Sequence, residues 1–167
     1  MPLDDELDQI FADRDRDNMQ ATIDALLPLY ESHPENARVL YEVGGAYDTA
    51  GHETIAQGFY EKALAAGLEG DLLRRCYLQY GSTLRNLGEY EKSSDIFRKA
   101  RTAFPGSPEL GVFEAITAHA AGQPNESIAL LLEVVAEFVG TPDMERYKPA
   151  ISGNAAYIRS LEETRPR

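Results

Sequence analysis

Residues 51–63 read GHETIAQGFYEKA, and residues 88–100 read GEYEKSSDIFRKA. Both stretches open on Gly and close on Lys-Ala, with an aromatic residue three places before that Ala, and they lie 37 residues apart. Gly122 continues the register 34 residues beyond Gly88. Tandem recurrence at this period constrains the fold strongly, because each copy must be one supersecondary unit that buries its apolar face against the next. Counting from fourteen residues before each Gly starts repeats at Ala37, Arg74 and Pro108. Position eight then holds Gly44, Gly81 and Ala115, and position twenty holds Ala56, Ser93 and Ser127. Position twenty-four holds Tyr60, Phe97 and Leu131, and position twenty-seven Ala63, Ala100 and Val134.

Small residues at positions eight and twenty let two antiparallel helices approach closely. The large residue at twenty-four packs into the next repeat, and the Gly at fifteen suits the left-handed conformation that ends a helix. Column by column this helix–turn–helix pattern resembles the tetratricopeptide repeat family. The family's marked positions 4, 7, 8, 11, 20, 24, 27 and 32 read Leu40, Val43, Gly44, Tyr47, Ala56, Tyr60, Ala63 and Leu68 in the repeat from Ala37. From Arg74 they read Tyr77, Tyr80, Gly81, Leu84, Ser93, Phe97, Ala100 and Pro105. The repeat from Pro108 keeps the spacing but places Gly111 and Glu114 where large apolar residues are expected. The resemblance implies an all-α fold, a right-handed superhelical solenoid of antiparallel helix pairs. It is closest in character to small bacterial proteins built almost only of such repeats.

The register extends outward in weaker form. A repeat starting at Leu3 has Pro34 at its thirty-second position, and its apolar residues fall on two helical faces. One face comprises Leu3, Leu7, Ile10 and Phe11, the other Met19, Ile23, Leu26, Leu27 and Tyr30, with Pro28 expected to bend the second helix. Three extra residues in AAGLEGDLL separate the first two clear repeats, where Asp71 is expected to cap an early helix start. Thr141-Pro142-Asp143 repeats Ser107-Pro108-Glu109 after 34 residues, and both read as a hydroxyl N-cap followed by Pro at the first helical position. The expected layout is one domain over 1–163. A degenerate repeat fills 1–36, full repeats fill 37–70, 71–107 and 108–141, and a capping helix, broken near Pro149, fills 142–163. Residues 164–167 are expected to form a disordered tail.

Composition narrows the function. The chain has 167 residues, 43% hydrophobic and 26% charged, which is ordinary for a globular protein. No apolar run has the roughly 18 residues needed to span a bilayer, and the acidic N-terminus is unlike a secretory leader. A single cysteine, Cys76, excludes an intrachain disulfide, so the expected location is cytoplasmic. The net charge of −12 divides into −8 over residues 1–36, zero over 37–107 and −4 over 108–167. No stretch concentrates positive charge, so a nucleic-acid partner is not expected.

Chemistry is sparse. His33, His52 and His119 have no His or Cys neighbour at ligand spacing, so no metal is expected. Cys76 has no CxxC partner and reads as a structural thiol. YEVGGAYDTAG is no phosphate loop, because no Lys-Ser/Thr follows it. The expectation is a non-enzymatic protein without a cofactor.

In the family, positions two, five, nine and twelve of each first helix line a concave face. The resemblance therefore implies a partner-binding face containing Arg38, Tyr41, Gly45 and Asp48, then Arg75, Leu78, Ser82 and Arg85, then Glu109, Val112, Ile116 and His119. Arg38, Arg75 and Arg85 would receive carboxylates of an acidic or C-terminal segment, and a stripe of Tyr41, Leu78, Val112 and Ile116 would take an apolar anchor. The alternative is a homodimeric scaffold, in which the protein's own last helix or a second copy fills the groove. Members that clamp a terminal carboxylate use Lys at position five and Asn at nine. Tyr41 and Gly45 stand there instead, so that role is not supported.

Overall fold

A computed structural model describes residues 1–163, all of whose regular structure is α-helical. The chain divides into two compact units, Met1–Leu87 and a second beginning at Gly88. The N-terminal unit holds α1 (Leu3–Ala12), α2 (Gln20–Ser32), α3 (Ala37–Thr49), α4 (Glu53–Ala65) and α5 (Gly70–Asn86). The second holds α6 (Tyr90–Ala103), α7 (Pro108–Ala120), α8 (Pro124–Phe138) and α9 (Pro142–Glu163). The expected tail at 164–167 lies outside the described residues.

The repeat marks act as packing devices. Gly51, Gly88 and Gly122 end first helices with φ of +80°, +79° and +76°. At the first of these, His52 N–H donates to Tyr47 O at 2.9 Å, closing the end of α3. A Cβ at Gly44 would sit 3.0 Å from Tyr60 Cδ1 and 3.1 Å from Phe59 Cβ, so α3 and α4 cross closely enough that any side chain there must push its neighbours aside. Ala56, Tyr60 and Ala63 on α4 are fully buried, as are Ser93, Phe97 and Ala100 on α6. Tyr60 reaches the following helix, α5, with its ring centroid 6.2 Å from that of Tyr80. Phe97 stacks on Phe113 of α7 at 6.4 Å. Leu131, the corresponding residue of α8, is exposed.

Residues 1–36, expected to form a degenerate repeat, contribute to the N-terminal core. Leu7, Met19, Ile23, Leu26, Val39, Val43 and Ala46 form one buried cluster from α1, α3, α2 and the residue before α2. Asn36 caps α3 by accepting from Val39 N–H at 3.0 Å.

Several local expectations change. Asp71 does not cap α5; the helix starts at Gly70, and the Asp71 carboxylate pairs with Arg74 at 2.6 Å and Arg75 at 2.7 Å. Ser107 makes no side-chain cap, whereas Thr141 Oγ1 accepts from Met144 N–H at 3.3 Å. Pro149 lies inside a continuous α9, not at a break.

The two departures of the third repeat belong together. A Cβ at Gly111 would lie 2.5 Å from Val134 Cγ2 and 3.6 Å from Arg101 Nε. The missing side chain makes room for Val134, and the neighbouring Arg101 guanidinium donates through Nη1 to Glu114 Oε2 at 2.7 Å. Glu114 is only 7% exposed, so an ion pair stands in the C-terminal unit where the family pattern has apolar contacts. Arg159 similarly ties α9 to α8, meeting Glu126 and Glu133 each at 2.6 Å.

Candidate functional site

The N-terminal unit carries a cavity of about 150 Å³ bounded by α1, α2, α3, α5 and the turn between α1 and α2. Its placement starts with Arg38 on α3. The Arg38 fork pairs with Asp4 at 2.9 Å and with Asp8, one turn apart on α1, which fixes α1 beside α3. That contact presents Leu7, Ile10 and Phe11 to the cavity, with Met19 and Leu26 beside them. From α3 come Tyr41, Glu42, Gly45 and Thr49, and from α5 Arg75 and Gln79. Leu7, Met19 and Leu26 are buried, whereas Phe11, Arg16 and Arg75 are exposed, so the cations Arg14, Arg16 and Arg75 gather toward solvent. Arg14 also lies over the Phe11 ring, with Cζ 3.5 Å from its centroid, which holds both at the opening.

The wall from α3 and α5 is polar and tightly bonded. The Tyr60 hydroxyl lies 3.1 Å from Asp48 Oδ2 and 3.2 Å from Gln79 Oε1, while Gln79 also bonds Tyr41. Burial raises the Tyr41 and Tyr60 phenols, so both are neutral donors. Burial also raises the Asp48 carboxyl, against the bonds it accepts from Tyr60 and Thr83. Glu42 is the exception in this wall. Its side chain is 12% exposed, burial pushes it up to about 7, and its ion-pair contact with Arg38 Nε is long, 3.9 Å.

A pH prediction follows from this carboxyl. Its folded value is raised above the ordinary 4.5, so both states hold the proton below about 4.5 and folding is unpenalised there. As pH rises from about 4.5 toward 7, the unfolded state releases a proton that the folded state keeps, and stability falls until the buried carboxyl ionises as well. Glu42→Gln is expected to stabilise the protein by up to about 3 kcal/mol near pH 8 and by nothing near pH 4. Paired urea titrations of both proteins at the two pH values measure this, and an equal shift at both would refute it.

The other predicted face residues take distinct places. Arg75, Tyr41 and Gly45 line the cavity, Arg38 is committed to α1, and Asp48 is bonded within the wall. Leu78 and Ser82 are half-buried on α5, and the Ser82 hydroxyl donates to Leu78 O at 2.8 Å. Arg85 Nη1 is buried without a hydrogen-bond partner, and burial lowers that guanidinium's affinity for its proton. In the C-terminal unit Val112 is half-buried, and Ile116 and His119 are exposed on α7.

Sequence reasoning missed the α1 wall, although a signal was present. Positions two, five, nine and twelve counted from Leu3 are Asp4, Leu7, Phe11 and Arg14. Three of these line the cavity and the fourth holds Arg38. Glu42 and Gln79, both at position six, were missed because position six lies beside the chief groove columns.

Cys76 is fully buried, and burial pushes its thiol up to about 12, far from a reactive thiolate. Among the described residues no three His, Cys, Asp or Glu side chains gather as a metal site. No described helix is long and apolar enough to cross a membrane.

A family model described as a tetratrico peptide repeat matches residues 37–160. No curated protein matches the chain.

Proposed function

Because the chain belongs to the tetratricopeptide repeat family, whose repeats point to protein–protein interaction, we propose that it binds a protein segment along its first helices, α1, α3 and α5. The carrying observation is the cavity of about 150 Å³ with Arg14, Arg16 and Arg75 around it. Among the charged residues lining it, these three face a single acid, Glu42, although residues 1–36 as a whole sum to −8. Three arginines beside a partly apolar hollow favour an acidic segment with one embedded side chain. Arg38 orders α1 and stays paired. The tightly packed tyrosine–Asp48–Gln79 wall preorganises this face, so little ordering cost falls on the protein's side.

Affinity capture from the native host's lysate tests the reading. The double variant Arg14→Gln/Arg75→Gln is expected to lower recovery of the captured partner by about tenfold, with unchanged far-UV circular dichroism. Lys99→Gln, on α6 of the other unit, serves as the control and is expected to leave capture intact. Equal recovery of the same partner by the double variant counts decisively against this face.

A further inference from the structure

Three properties of the cavity in the N-terminal unit narrow what fits it. Its volume, about 150 Å³, matches a single benzene-sized ring. Leu7, Phe11, Met19 and Leu26 offer an apolar surface to such a ring, including a thioether, which contacts aromatic edges favourably. Glu42 meets the same space from α3, and its carboxylate accepts no hydrogen bond among the described residues. The 3.9 Å separation from Arg38 Nε exceeds hydrogen-bond reach, and that Nε is itself buried without a partner. An incoming donor would therefore meet an acceptor that the fold leaves unused.

We propose that this cavity is the anchor pocket for one tyrosine side chain of an acidic partner segment, with the phenol donating to Glu42 and the flanking carboxylates meeting Arg14, Arg16 and Arg75. This inference rests on the protein-binding reading of the same face. The ring fills the volume, and the hydroxyl distinguishes tyrosine from phenylalanine or leucine, which would cover Glu42 without giving it a hydrogen-bond donor. The arginines supply the charge complementarity that selects acidic neighbours.

The test uses p-cresol and toluene as probes of the full chain, followed by protein-observed NMR. p-Cresol is expected to bind about tenfold more tightly than toluene, with shifts at Phe11 and Gly45. Glu42→Leu is expected to erase that preference while toluene still binds. Gly45→Leu is expected to abolish binding of both, because its side chain grows into the cavity. A Cβ there meets only Gln79 Oε1 and Tyr60 Oη, both at 3.9 Å, so the variant folds without a clash at that atom. Equal affinities for the two probes, or p-cresol binding that survives Gly45→Leu, would overturn the anchor. No p-cresol binding alongside arginine-dependent capture overturns the anchor and leaves the wider reading standing. Arginine-independent capture overturns both.

Discussion

Tyr60→Ala is expected to destabilise the N-terminal unit by about 3–5 kcal/mol, the range for removing a fully buried aromatic ring. Tyr60 is 0% exposed, and its ring lies against the bare backbone of Gly44, so neither α3 nor α4 can close the resulting void without changing their crossing. The ring also spaces Tyr41 from Tyr80, with centroids 6.4 Å and 6.2 Å away. Its hydroxyl serves Asp48 and Gln79, so truncation also leaves a half-buried carboxylate with one bond fewer. Tyr60→Phe separates the two contributions: it keeps the ring and is expected to cost about 1–2 kcal/mol. Urea unfolding followed by circular dichroism measures both variants. A loss under about 1 kcal/mol for the alanine variant would show that the ring does not carry this junction.

Glu114→Leu restores the apolar residue expected by the family pattern, and it is nevertheless expected to lower the stability of the C-terminal unit by about 2 kcal/mol. The substitution leaves the Arg101 guanidinium beside Gly111 with its carboxylate gone. Arg101 remains 32% exposed, so water screens part of the loss and the full cost of breaking a deeply buried pair does not apply. Arg101→Leu/Glu114→Leu is expected to recover most of the loss, since two apolar side chains then fill the space without an unpaired charge. A double-mutant cycle by urea unfolding reads the coupling. Strict additivity of the two single changes would mean that the pair contributes no coupling energy.

The parts of the fold that were legible in the sequence are those written as local steric necessity. Gly44 against Tyr60, the left-handed Gly51 and the buried Ala56 and Ser93 recur because each helix crossing demands the same small residue. The third repeat was harder to read because its departures answer residues distant in sequence: Gly111 makes room for Val134, and Glu114 makes sense only with Arg101 beside it. Asp71 looked like a cap because capping and ion pairing use the same residue types at helix starts, and two arginines one turn later decided between them. The site was half visible. Arg75 and Tyr41 stand at the family's face positions, whereas α1 fits the family's packing columns poorly. Its face columns were the informative ones.

The fork of Arg38 across Asp4 and Asp8 has a practical consequence for anyone dividing this chain. A fragment cut to the family match at 37–160 would omit α1 and α2. It would discard Leu7, Ile10, Phe11, Arg14, Arg16, Met19 and Leu26 from the hollow, and strip the cover from Val39, Val43 and Ala46. Such a fragment would carry the repeats from Ala37 onward and lack about half of the cavity's lining. Constructive use of this protein, in capture assays or in engineering a graft, therefore starts upstream of Asp4.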